Sequence, residues 1–178
     1  TSISASEVHV PGRPTDPDGV KALAVAAKKC FENFRPGGMR VHAGSLILAP
    51  GLKPADYQDA MSKGVWLAKA GFGAVNTASD YIQMVSEARN AGLLTTLHTG
   101  GASIPGSFPI TGQDLVKINP QVSFHINGGP VSMEDKYFEI VARDTEIAMQ
   151  VCTAGNLRTA ILCAEMARKH DAFERFLI

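Results

Sequence analysis

A chain of 178 residues, 45% of them hydrophobic, is long enough to bury one sizeable core and suits a single domain over residues 1–178. Seventeen basic residues balance seventeen acidic ones, and no block of like charge stands out, which argues against nucleic acid or an anionic membrane surface as the partner. No apolar stretch approaches the roughly 20 residues of a spanning helix, no basic-then-apolar leader is visible, and Cys30, Cys152 and Cys163 form no C-x-x-C pair, so a reduced, cytoplasmic setting is expected.

In chain order, "VKALAVAAKKCFENF" (20–34) places Leu23, Ala27, Cys30, Phe31 and Phe34 at helical spacing, and Pro36-Gly37-Gly38 stops it. "MRVHAGSLIL" (39–48) reads as extended. "KPADYQDAMSKG" (53–64) is a short helix with Pro54 in its first turn and Gly64 past its end. "VWLAKAGFG" (65–73) is the next strand, and its "GFG" is a tight turn because the rest of a nucleotide fingerprint is missing. "TASDYIQMVSEARNAG" (77–92) is a helix with a Thr or Ser cap and Gly92 as its stop. "LLTTLH" (93–98) is a strand, and "TGQDLVKI" (111–118) opens a helical turn with Thr111 and Asp114 spaced as a capping box. "VSFH" (122–125) is a strand, "SMEDKYFEIVARD" (132–144) a helix, "EIAMQVCT" (146–153) a strand and "NLRTAILCAEMARKH" (156–170) a helix. "FERFLI" (173–178) resembles the start of one more strand.

Strands alternating with helices imply βα units and a parallel sheet. The strands are continuous apolar runs, as expected when both faces are covered. In such sheets chemistry collects at the carboxyl ends of the strands, and there the unusual polar residues fall. His98 and His125 each end an apolar strand, and each is followed by glycines that let a ligand approach the backbone. Lys69 lies late in an apolar strand, where a charge is unwelcome without a partner. Two imidazoles and an amine converging at one mouth would make a metal site or a site of perturbed acidity. Their spacing matches neither a zinc finger nor an H-E-x-x-H helix, so the fold would have to bring them together.

Blander readings stand beside these. A strand-end histidine is commonly a hydrogen-bonded structural residue, and Lys69 alone reads as a snorkelling or ion-paired side chain. His9, Arg13 and His42 suit loop roles as well as a pocket, and His170 suits a helix end facing solvent.

"EVHVPGRPTDPDGVKALA", "VHAGSLILAPGL", "GVWLAKAGFG", "HTGGASIPGS" and "HINGGP" together resemble the enamidases of the amidohydrolase superfamily, and the resemblance runs through the whole chain. The two histidine–glycine stretches are its most specific part. The resemblance implies a parallel (β/α)8 barrel of TIM type, here incomplete, with strands 2 to 7 and the start of strand 8. It implies a divalent metal centre, zinc or iron and mono- or binuclear, and hydrolysis of a cyclic amide of the enamide-lactam type. It also implies a small-molecule partner and a homo-oligomer. His98 takes the place of the strand 5 ligand and His125 that of the strand 6 ligand. Lys69 falls on the strand 4 position, where enamidases carry a glutamate and many relatives a lysine carbamate that bridges two metals. Asn127, Gly100 and Gly128 are candidates for holding substrate.

The superfamily's H-x-H pair on strand 1 has no counterpart here, and the sequence stops before any strand 8 aspartate. No catalytic acid–base is therefore assigned within it, and the sequence reads as the middle of a longer protein. Two alternatives differ in kind. One is a Schiff-base lyase in which Lys69 attacks a carbonyl. The other is an inactive partial barrel that serves as a folding or association module through its sheet edges and apolar surface.

Overall fold

The computed structural model describes residues 2–5, 15–32, 40–70, 77–99, 110–124, 126 and 134–150. Seven strands and five helices lie within them. Strands β1 (Ser2–Ala5) and β2 (Arg40–Ala43) pair in parallel as a two-stranded sheet. Strands β3 (Ser45–Ile47), β4 (Leu67–Ala70), β5 (Leu94–His98), β6 (Val122–Phe124) and β7 (Ala148–Met149) form a second, all-parallel sheet in that order. Helix α1 (Pro17–Glu32) joins β1 to β2, and α2 (Pro54–Ser62), α3 (Ala78–Ala91), α4 (Gly112–Ile118) and α5 (Asp135–Asp144) connect the strands of the larger sheet.

Spatial order follows chain order throughout the larger sheet. A doubly wound sheet reverses its strand order at a switch point, whereas each strand of a (β/α) barrel adds beside its predecessor. The connectivity is therefore that of a barrel wall, as expected from the sequence. It directs attention to the carboxyl edge of the strands rather than to a crevice between two halves.

The helices are fixed by the signals visible in the sequence. Thr77 caps α3 by accepting the Asp80 N–H at 3.3 Å, and Gly92, at φ 102°, ends the helix in the left-handed conformation that a side chain would resist. Thr111 and Asp114 form the expected reciprocal box at α4: Thr111 Oγ1 accepts the Asp114 N–H at 3.2 Å, and Asp114 Oδ2 accepts the Thr111 N–H at 3.1 Å. This helix holds the buried Leu115 and Ile118 against the core. Replacing Thr111 with alanine is expected to cost about 1 kcal/mol. The loss would be read as a lower denaturation midpoint at an unchanged slope.

Core packing follows the two periods of strand and helix. Successive strand residues face opposite ways. Leu46 and Leu48, Ala68 and Ala70, and Leu97 pack with Val20 and Ala24 of α1, Tyr57 and Ala60 of α2, Tyr81, Val85 and Ala88 of α3 and Leu115 of α4. Each fully buried leucine side chain contributes about 1.5–3 kcal/mol relative to exposure. Between α2 and α3, the Tyr57 hydroxyl donates to Glu87 Oε2 at 3.5 Å, and burial, then the Glu87 charge, pushes the phenol well above its usual range. Lys21 of α1 donates to Asp56 of α2 at 2.6 Å; that bond, with the Lys53 N–H, holds the Asp56 carboxyl below the ordinary range.

Three differences from the sequence reading are physical. The strand count requires a strand ahead of the first helix but gives it no range; β1 forms there, and four residues of mixed polarity give too little periodicity to show it. The run 39–48 is two strands, broken at Gly44, where φ is 87°. The helix expected at 20–34 starts earlier, at Pro17, a residue type that favours a first helical turn. The helix expected at 156–170 and the strand expected at 173–178 lie outside the described residues.

Candidate functional site

Lys69 is the third residue of β4 and is 2% exposed. Its backbone pairs in register with Ile47 on one side and Thr96 on the other. His98 ends β5 two residues beyond Thr96, in register with Phe124. Register partners in a parallel sheet point to the same face, and so do residues two apart on a strand. Lys69, Thr96, His98 and Phe124 therefore share the face turned away from Ala68, Ala70 and Leu97, which pack against the helices.

Direct contact bears this out. The Lys69 ammonium lies over the Phe124 ring, 4.5 Å from its centroid, so side chains from β4 and β6 meet across β5. Thr96, 2% exposed, keeps a low profile beneath them by donating its hydroxyl to the Ala68 carbonyl at 3.0 Å. His98 is half-buried, and its Nδ1 is shielded from solvent. A cation over an aromatic face gains about 0.5–2 kcal/mol, against several kcal/mol to take an ammonium out of water. The ring offsets only part of that cost. The snorkelling reading of Lys69 is corrected here, since a head group in water is incompatible with 2% exposure.

Two of the expected site residues, Lys69 and His98, are thus brought together at the carboxyl end of adjacent strands. His125, Asn127, Gly100 and Gly128 lie outside the described residues, as do His9, Arg13 and His170, and β6 is described as far as Phe124. Among the described residues no group of three or more His, Cys, Asp or Glu side chains is placed to hold a metal. Of the two described candidates, His98 is a metal-ligand type as it stands, and Lys69 would become one only as a carbamate. Imidazole suits zinc and iron alike, and an amine that has taken up carbon dioxide offers carboxylate-like oxygens.

Sequence reasoning missed Phe124, Thr96, Thr99 and Ser123. Thr99 Oγ1 donates to the Phe124 carbonyl at 2.8 Å and lies 2.7 Å from Ser123 Oγ, on the face opposite Lys69 and His98. Small hydroxyl residues inside otherwise apolar strands were the available signal. Each needs a partner once buried, and Thr96, Thr99 and Ser123 are all buried.

Fold and site together define a (β/α)-barrel protein with ligand-type side chains on the face away from its helices. No family model matches the chain. Enamidase from Eubacterium barkeri is 38% identical over 178 residues, which is 99% of this chain and 46% of that protein. The crystal structure of enamidase at 1.9 Å resolution, described as a new member of the amidohydrolase superfamily, superposes with a TM-score of 0.73 at 38% identity. The superposition covers 94% of this chain and 44% of that one. The chain is an enamidase homologue, and it spans about half the length of the relatives it matches.

Proposed function

We propose that this chain is part of a metal-dependent hydrolase that opens the C–N bond of a cyclic amide of the enamide-lactam type. The observation that carries the reading is that Lys69 and His98 share one face at the carboxyl end of adjacent strands in an enamidase homologue. A divalent cation, when bound, polarises a carbonyl and brings the acidity of water near neutrality. His98 and His125 would each lend an imidazole lone pair, and each ring would be oriented through its other nitrogen. Lys69 would serve as a carbamate: its neutral amine adds to carbon dioxide, an N–C bond forms, and one proton leaves to solvent. The product would have anionic oxygens at the position where the family resemblance implies a glutamate. Asn127 and the amides of Gly100 and Gly128 would hold the substrate.

The full-length protein is expected to carry zinc or iron as purified and to hydrolyse a cyclic enamide. Chelation should abolish turnover, and added metal should restore it. A metal-free protein with undiminished lactamase activity overturns the proposal. The resemblance further suggests a homo-oligomer, which light scattering reads directly. The exposed free thiol of Cys30 is compatible with the proposed reducing, cytoplasmic setting. No helix among the described residues is long and apolar enough to cross a membrane.

A second reading has one observation in its favour. An amine buried against an aromatic ring is the desolvated environment in which lysines form Schiff bases with carbonyl substrates. Borohydride trapping of substrate on Lys69 would establish it.

A further inference from the structure

We infer that Thr99 is a positioning residue of this centre: its hydroxyl locks the carboxyl end of β5 to β6 and so fixes where His98 stands relative to Lys69 and Phe124. The inference rests on the metal-dependent reading above and adds a residue to it. The last residues of a strand have lost the ladder beyond them, and a ligand there is held only as firmly as the strand end itself.

Here that end is held by a cluster behind the site. The Phe124 carbonyl accepts two donors from one residue, the Thr99 N–H at 3.1 Å and the Thr99 hydroxyl at 2.8 Å. A hydroxyl has a single proton to give. With the proton of Thr99 committed to Phe124, the 2.7 Å contact with Ser123 is one in which Ser123 donates and Thr99 accepts. Both lone pairs of the Phe124 carbonyl and both hydroxyl protons are therefore used. Ser123 is 0% exposed and Thr99 9%, so water does not readily take over either role. Thr99 alternates with His98 along the strand and faces the helices. Its hydroxyl is engaged by Ser123 and the Phe124 carbonyl, so it acts through the strand end.

The amino end of the same strand pair supplies a control. Thr95 is also buried and also bonded across to β6, through Gln121: the Gln121 Oε1 accepts the Thr95 N–H at 2.9 Å, and the Gln121 N–H donates to Thr95 Oγ1 at 3.2 Å. Four residues of extended chain place it about 13 Å from Thr99. A purely structural role would make the two threonines equivalent in their effect on the sheet. A positioning role would make them different in their effect on the metal.

The experiment compares Thr99→Val, Thr99→Ser and Thr95→Val in the full-length protein. It measures zinc affinity by competition with a chelator, and kcat and KM separately. Thr99→Val is expected to weaken zinc binding about ten-fold or more and to lower kcat with little change in KM. Thr99→Ser, which keeps the hydroxyl, should restore most of the loss, and Thr95→Val should lower the melting point while leaving zinc affinity unchanged. Wild-type affinity in Thr99→Val overturns the inference alone, as does an equal loss in Thr95→Val. If Thr99→Val does not fold, Ser123→Ala carries the same comparison, with a smaller loss expected and an unchanged affinity overturning the claim. A wild-type protein that binds no metal overturns the hydrolase reading itself, and this inference with it.

Discussion

On the metal-dependent reading proposed above, replacing Lys69 with either methionine or arginine is expected to lower turnover about a thousand-fold and to weaken metal binding. Methionine has nearly the same length and suits a site that is 2% exposed, so the fold should survive it. Arginine retains the positive charge and the capacity to lie over Phe124, but its guanidinium does not form a carbamate. If Lys69 mattered only as a cation over the Phe124 ring, arginine would rescue and methionine would not. If it supplies anionic oxygens, the two variants fail alike. A metal's contribution of several kcal/mol corresponds to about three powers of ten in rate. Carbon-13 bicarbonate should give a carbamate signal in the wild-type protein that both variants lack. Near-normal turnover in the arginine variant would refute the carbamate role.

Gly44→Ala is expected to destabilise the protein by about 2–5 kcal/mol. Two effects add at this position. Its φ of 87° is left-handed, which costs a residue with a Cβ roughly 1–2 kcal/mol. The new methyl would also run into the Ala24 carbonyl oxygen of α1 and lie 2.9 Å from Lys28 Cβ, an overpacking of about 1–3 kcal/mol. Neither obstacle moves cheaply, because one is helix backbone and the other the root of a side chain. Total stabilities are roughly 5–15 kcal/mol, so the variant would lose a large share. Urea unfolding would show it, and a midpoint within experimental error of the wild type would contradict the geometry. Thr111→Ala, with its smaller cost, provides a scale on the same instrument.

The parts of the fold that local chemistry dictates were legible. Thr111 and Asp114 stand at capping-box spacing because the box is closed by residues three apart. Gly92 terminates α3 because only its own dihedral angle is involved. The parallel sheet showed itself in mostly apolar strand runs such as "VWLAKA" and "LLTTLH", and Lys69 and His98 stood out as misfits late in those runs. What stayed hidden depends on register. Phe124 lies opposite His98 and beneath Lys69 only because β6 pairs with β5 at one particular offset. The partnership of Thr99 with Ser123 spans 24 positions and has no trace in either segment alone. The break at Gly44 was hidden for a related reason: it answers to the close approach of α1, a neighbour in space that the run 39–48 does not contain.

The strict succession of the larger sheet has a consequence for how such a chain is made. Cross-strand bonds between neighbouring units join residues only 21 to 28 positions apart. Each ring closure is of similar size, and the entropy of closure rises slowly with loop length. As the polypeptide emerges from the ribosome, every new unit therefore finds the edge it needs already presented, and no strand has to wait for one synthesised much later. Lys69, His98 and Phe124 come from three consecutive units, so the face they share takes shape as soon as the third of those units has been synthesised.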